Sequence, residues 1–218
     1  ELTTGPLQLL WFGQPGARQM ADRHHRNPSP LYADGRLFTP GDQVVFAQDA
    51  YNGTLLWKRT VSDSRRLGVF LDAGNMALGE DSLHYVVEDR CLRFDVESGE
   101  ESEPLTIPEE ATLLTDAPRN WGYLAVLDDA ILGTTVRTGA SYEEMSWDGD
   151  SALWYDSMSL IAGESLFALD PVTGDPQWTY KSGLILHTTI AVGPACVYFI
   201  ESTTSPEDFQ GRAPMPFF

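Results

Sequence analysis

The phrase LFALDPVTGDPQWTY, residues 166–180, opens on alternating apolar residues, turns through Asp170 and Gly174, and lands on Trp178. It recurs as VFAQDAYNGTLLWKR, where Asp49, Gly53 and Trp57 stand at the same offsets of zero, four and eight. A weaker copy, LRFDVESGEESE, keeps Asp95 and Gly99 but has Glu103 in the tryptophan position. Asp49 and Asp95 are 46 residues apart, and 46 residues before Trp57 stands Trp11. A second apolar phrase precedes each copy. Anchored on Leu37, Leu83, Ile131 and Val197, it recurs in steps of 46, 48 and 66. Leu37 to Asp49 and Leu83 to Asp95 both span 12 residues, whereas Ile131 to Asp170 spans 39, so the third unit carries an insertion of 27. A repeat of this length decides the architecture before any other property of the chain does.

Each unit reads as four short strands: PLYA, a tight turn at Asp34-Gly35, RLFT, then VVFAQ, and TLLWKR after the Asp49–Gly53 turn. Aspartate suits the start of that turn because its carboxylate accepts nearby backbone N–H groups. Glycine suits the end because a left-handed backbone costs it least. Val, Ile, Leu and Phe alternate with polar residues, as half-buried strands require, and long amphipathic helices are absent from the pattern. Four-stranded units of about 46 residues in tandem are the signature of β-propeller blades. The expected fold is all-β, a propeller of four-stranded antiparallel blades, read as an incomplete segment of a seven- or eight-bladed ring. The expected divisions are a blade end at 1–27, blades at 28–61, 71–108 and 120–183, and the start of a further blade at 184–218. The insertion falls at about 137–164 of the third blade.

Charge narrows the partners. The chain has 14 Lys/Arg against 32 Asp/Glu, a net −18, which disfavours nucleic acid and anionic membrane surfaces. The distribution is uneven: residues 18–66 hold eight basic and five acidic residues, while 80–116 hold twelve acids against only Arg90 and Arg93. Cys91 and Cys196 sit in apolar runs without metal or redox spacing and read as two buried thiols. No apolar run is long enough to span a membrane as a helix.

The pattern Ala-x-Asp-x-x-[Asn/Thr]-Gly-x-x-x-Trp, met by Ala47, Asp49, Asn52, Gly53 and Trp57, is met again by Ala168, Asp170, Thr173, Gly174 and Trp178. It resembles the repeat of pyrroloquinoline-quinone-type propellers, which include quinoprotein alcohol dehydrogenases and non-enzymatic propeller lipoproteins of outer-membrane assembly. The longer string LLWFGQPG…DRHHR…PLYADGRLF…DAYNGTLLW is similar to a bacterial subfamily of quinone-binding-like propellers. The resemblance implies that Trp57 and Trp178 dock between adjacent blades, and it implies a periplasmic or other extracytoplasmic location. The middle unit departs from the pattern with Arg93 and Glu103, which leaves its inter-blade packing open.

In a propeller the loop from a fourth strand to the next blade shares a face with the second-to-third loop. All the long loops of this chain therefore belong to one face. The most reactive-looking constellation there is DRHHR: Arg23, His24, His25 and Arg26, with Arg65 and Arg66 expected on the neighbouring loop, form a candidate anion or partner site. Adjacent histidines on extended chain point opposite ways, so no metal site is read from them. WDGD at 147–150 lacks the oxygen-ligand run of a calcium loop and reads as an acidic surface. Trp121 and Tyr123 begin a first strand and read as core. No catalytic residue and no cofactor site is read from the chain. The expectation is a non-catalytic binding or scaffold module, working through its loop face on a protein or small anionic ligand, within a longer chain. The alternative is part of a quinone-dependent dehydrogenase, and a calcium-bound pyrroloquinoline quinone belongs to that alternative alone.

Overall fold

The computed structural model describes residues 29–41, 43–62, 64, 75–112, 119–137 and 162–203. Three antiparallel sheets run in tandem. The first comprises β1 (Leu31–Ala33), β2 (Arg36–Gly41), β3 (Val44–Asp49) and β4 (Leu55–Thr60), in that order across the sheet. The second repeats it with β5 (Met76–Leu78), β6 (Ser82–Val87), β7 (Arg90–Asp95) and β8 (Glu101–Thr106). The third has β9 (Arg119–Val126), β10 (Ile131–Arg137), β11 (Ala162–Leu169) and β12 (Pro176–Leu186). A two-stranded hairpin follows, β13 (Ala191–Val192) with β14 (Val197–Tyr198), and then β15 (Glu201–Ser202), which pairs with the end of β12. The only helix among the described residues is two three-residue 3-10 turns, at Glu109–Ala111 and His187–Thr189.

The register proves the repeat. Leu37 pairs with Gln48, Leu83 with Phe94, and Ile131 with Leu169, each time the residue before the turn aspartate. The Asp34-Gly35 turn joins β1 and β2 through two residues with positive φ (46° and 76°), the geometry that matches strand twist in a two-residue hairpin. First strands lie side by side, β1 against β5 and β5 against β9, so the sheets fan out from a common line. This is the arrangement of propeller blades.

Between blades lie the cores. On β6 and β7, Leu83, Tyr85, Val87, Leu92 and Phe94 face the first blade, packing with Phe38, Val45, Ala47 and Trp57. Val86 and Cys91, of opposite parity, face the third blade with Leu105, Trp121, Ile131, Phe167 and Leu169. The period-two alternation of a strand thus serves two interfaces at once. A smaller cluster, Ala130, Leu132 and Ala168, lies on the far side of the third blade, with Val197 against it.

The three aspartate turns are copies of one another. The amides of Gly53, Gly99 and Gly174 donate to the carbonyls of Asp49, Asp95 and Asp170 at 2.8, 2.8 and 2.9 Å. Asp49 Oδ1 accepts from the amides of Tyr51 and Asn52, Asp95 Oδ1 from Glu97 and Ser98, and Asp170 Oδ1 from Val172 and Thr173. The glycines take φ of 75°, 68° and 78°, the left-handed region that side chains avoid.

Trp57 docks between blades as expected. Its indole N–H donates to the Val96 carbonyl at 3.1 Å, and its ring lies over Gly99, where a Cβ would come within 2.7 Å of it. Trp178 differs. It pairs across its hairpin with Ala168, as Trp57 does with Ala47, yet it stays 39 % exposed, because no described residue brings a turn beneath it. Where the middle unit lacks its tryptophan, Leu105 fills in. A Cβ on Gly174 would meet its methyl at 2.8 Å. Arg93, in the alanine slot, donates to the Glu103 carbonyl at 2.9 and 2.7 Å and reaches the Pro171 carbonyl of the third blade at 3.4 Å.

Candidate functional site

Backbone hydrogen bonds tie one face together. The Gln43 amide, in the β2–β3 turn, donates to the Ser64 carbonyl at 3.0 Å, and the Val61 amide donates to the Gln43 carbonyl at 2.9 Å. The loop leaving β4 therefore starts against the second-to-third turn of its own blade. One blade on, the Trp121 amide donates to the carbonyl of Glu88, in the β6–β7 turn, at 2.6 Å. The third blade's insertion departs from β10 after Arg137, which pairs with Arg119 at the start of β9, at the corresponding end of its sheet. The roots of these loops are thus hydrogen-bonded at one end of the sheets, within the first blade and between the second and third.

The candidate residues Arg23, His24, His25, Arg26, Arg65 and Arg66 lie outside the described residues, as do Trp11 and the WDGD segment. Trp121 and Tyr123 lie on β9. Trp121 is buried edge-on against Phe167, with ring centroids 4.9 Å apart, and its indole N–H donates to the Tyr123 carbonyl at 2.9 Å. It is core, as its strand position predicts.

Beneath the loop face of the third blade lies a buried polar group that the sequence reading does not single out. Arg119 and Glu164 form an ion pair at 2.8 Å, both side chains 3 % exposed. Thr134 Oγ1 and His187 Nε2 are 2.7 Å apart, and Thr135 Oγ1 and Ser165 Oγ are also 2.7 Å apart. His187 packs over the sheet so closely that a Cβ on Gly122 would lie 2.7 Å from its ring. Burial holds the His187 imidazole down at about 3, so it is neutral at physiological pH. His84, on β6, is held at about 4, chiefly by burial and further by the charge of Arg93. Burial pushes the Cys91 thiol up to about 12, whereas Cys196, expected to be buried, is exposed in the turn between β13 and β14. The signal in the sequence is a charge on a buried parity: Glu164 shares its side of β11 with Leu166 and Ala168.

These groups brace the blade at the root of its insertion. They do not present a reactive centre: both described histidines are neutral and covered, and the Cys91 thiol is protonated and buried. Calcium chemistry needs several converging oxygen ligands. Among the described residues no three His, Cys, Asp or Glu side chains converge to hold an ion. No helix among them is long and apolar enough to cross a membrane.

No protein-family model matches the sequence, and no curated protein matches it either. Among solved structures the chain is similar to the quinohemoprotein alcohol dehydrogenase ADHIIG of Pseudomonas putida, with 18 % identity and a TM-score of 0.49 over 75 % of this chain and 22 % of that one. The quinohemoprotein alcohol dehydrogenase of Comamonas testosteroni gives 17 % and 0.47, over 73 % and 22 %. BamB of Moraxella catarrhalis gives 17 % and 0.43, over 76 % and 43 %. The chain thus spans less than a quarter of either dehydrogenase and less than half of BamB. The propeller assignment rests on the three sheets and their register, independently of these likenesses.

Proposed function

We propose that this chain is a non-catalytic propeller segment of a larger ring, serving as a binding or scaffold module through its loop face. The observation that carries the reading is the division of labour between the two regions of each blade. The buried titratable groups of the described blades, His84, Cys91, Arg119, Glu164 and His187, are covered by packing, while the loops that vary in length spring from hydrogen-bonded roots at one end of the sheets. The partner we infer is an acidic protein segment or a small anion, received by Arg23, His24, His25, Arg26, Arg65 and Arg66 on an otherwise acidic molecule. An extracytoplasmic location belongs to the same proposal.

The test is a pair of titrations on the full chain. Inorganic phosphate and a short poly-glutamate peptide should bind at low salt, weaken as salt rises, and fail to bind when Arg23, Arg26, Arg65 and Arg66 are all changed to Glu. Retained binding in that variant would remove the proposed site. Pyrroloquinoline quinone added with calcium should leave the chain without cofactor absorbance and without alcohol-dependent dye reduction. Activity in that mixture would overturn the non-catalytic reading in favour of a dehydrogenase segment.

A further inference from the structure

The residue before each turn glycine has the same task in all three blades. Asn52 Oδ1 accepts the Thr54 amide at 2.8 Å, Ser98 Oγ accepts the Glu100 amide at 3.1 Å, and Thr173 Oγ1 accepts the Asp175 amide at 3.1 Å. A hydroxyl or an amide oxygen can do this, but only the amide carries a nitrogen that can leave. Asn52 is exposed at the tip of its turn and is followed by Gly53, whose missing Cβ leaves its backbone nitrogen open to the preceding side chain. The other three asparagines of the chain lack that neighbour. Asn27 precedes Pro28, which has no N–H, and Asn75 and Asn120 precede the bulky strand residues Met76 and Trp121.

We propose that Asn52 is a modification site, the point at which this chain deamidates, and that its own turn restrains the reaction. The bond that forms joins the Gly53 backbone nitrogen to Asn52 Cγ. The bond that breaks is Cγ to the side-chain nitrogen, which leaves as ammonia with the proton given up by the Gly53 amide. Water then opens the cyclic imide at one carbonyl or the other. The result is aspartate, or isoaspartate with the main chain running through the former side chain, and in either case one new carboxylate. In the closed turn the Gly53 N–H is committed to the Asp49 carbonyl at 2.8 Å and the Asn52 side chain to Thr54. Asp49 Oδ1 takes the amides of Tyr51 and Asn52, so a carboxylate at the base of the turn disfavours the anionic nitrogen that must attack. The reaction therefore runs when the exposed turn opens locally, at less cost than the strands behind it. Ser98 and Thr173 hold the same slot without the chemistry, so of three copies of one turn only the first ages. The aspartate product keeps an acceptor for Thr54, whereas isoaspartate lengthens the backbone just before Gly53. The proposal does not depend on what the loop face binds, since the aspartate turns and the loops lie at opposite ends of the sheets.

The test incubates the full chain at mildly alkaline pH, native and in denaturing urea, and follows conversion at each asparagine by mass mapping of its peptides. Asn52 should convert ahead of Asn27, Asn75 and Asn120 under both conditions, and roughly tenfold more slowly in the native chain. Conversion led by another asparagine, or equal native and unfolded rates at Asn52, would overturn the proposal. Low concentrations of urea, short of the unfolding transition, separate local from global opening. The native rate should hardly change across them. A rate that rises in step with the unfolded fraction would show that the turn contributes nothing of its own, and would also overturn the proposal. Asp49→Ala removes the carboxylate that fixes the Tyr51 and Asn52 amides and should carry the native rate toward the urea rate. An unchanged rate in that variant counts against the restraint, and should the variant not fold, the comparisons on the parent chain still decide. Asn52→Ser gives the first blade the side chain of the second. It should abolish conversion at this position and keep the urea midpoint near that of the parent. Asn52→Asp, which copies one product, should do the same, leaving the isoaspartate form as the product that lowers the midpoint.

Discussion

The joint between the first and second blades and the joint between the second and third solve one problem with different chemistry. At the first, a large ring on the outer strand does the work: Trp57 lies 5.8 Å from the Phe38 ring and 6.4 Å from that of Phe94, by centroids, and docks on the next turn. At the second, that slot holds Glu103. Its neighbour Arg93 spans to Pro171, Leu105 meets the turn glycine, and the large rings are instead Trp121 and Phe167 of the third blade. The turn itself is the same in both. A repeat protein of this kind thus fixes its backbone grammar in the turn and leaves the filling of the joint free to vary, as expected where each unit contacts chiefly its neighbours.

If that is right, the first joint hangs on a single side chain. Trp57→Ala removes a buried indole, its hydrogen bond and two ring contacts, and should cost roughly 3–5 kcal/mol in urea unfolding. A midpoint equal to that of the parent would show that the aromatic joint is dispensable and the comparison empty.

Acid should weaken the second joint through His84 and the third blade through His187. His84 shares its side of β6 with Val86, which faces the third blade, and His187 is buried on the third blade itself. Both imidazoles are held below the unfolded value, at about 4 and about 3, so the unfolded chain takes up protons first as pH falls. The stability they allow is full above about pH 6.5 and is lost as pH drops toward the folded values, by about 2 kcal/mol per histidine at pH 5. Urea midpoints measured from neutral pH downward should fall across that window, and His84→Gln should flatten the slope. A flat profile in the parent would mean that both rings reach water.

Smaller still are the substitutes for the missing tryptophan. Leu105→Ala should cost about 2 kcal/mol, the low end for a buried leucine, because part of its contact is with a bare glycine. Arg93→Ala should cost about 1 kcal/mol, since its bonds reach carbonyls that water can also serve. Urea midpoints of the two single variants and of the double variant, set in a cycle, would show whether they act as a unit. Additive losses would divide the joint into independent contacts.

How much of this was legible follows from the same division. The turns were readable because a left-handed glycine after a capping aspartate stamps the sequence at fixed offsets, and the strands because their alternation buries two faces. Trp57 was readable from its recurrence. The exposure of Trp178 was not, because a register position says which slot a residue holds and nothing of what is placed opposite. Arg93 and Leu105 were hidden for a related reason: they replace a motif residue by acting from neighbouring positions, so a search by offset finds only the gap at Glu103. Arg119 and Glu164 were hidden because lone polar residues within apolar strands have no period, and His187 because it stands in the short turn after β12. Function was the least legible part, since its best candidates, the arginines and histidines of the loops, belong to no repeat.

The finest contrast between the joints lies in the turn carboxylates, Asp95 at the first and Asp170 at the second. Asp95 Oδ1 accepts from the amides of Glu97 and Ser98 and from the Ser98 hydroxyl, and the charge of Arg36 adds to these bonds in holding its carboxyl below the usual range. Asp170 is also held down, by the amides of Thr173 and Val172, without an arginine. An asparagine keeps an acceptor oxygen and removes only the charge. Asp95→Asn and Asp170→Asn should therefore each lower the urea midpoint slightly at neutral pH, Asp95→Asn more. Because the folded carboxyls titrate below their unfolded value, the parent's advantage is present above about pH 4 and is lost as pH falls through the folded range. Measured as the difference between variant and parent, the contribution of the buried histidines cancels, and the gap should close in acid. Added salt should narrow the excess of Asp95→Asn over Asp170→Asn, since the Arg36 part is a charge interaction at the surface. A gap that is the same at neutral and acid pH would mean that the turns rest on geometry alone. A larger effect at Asp170 would mean that the second joint, lacking its tryptophan, leans harder on its turn than the first.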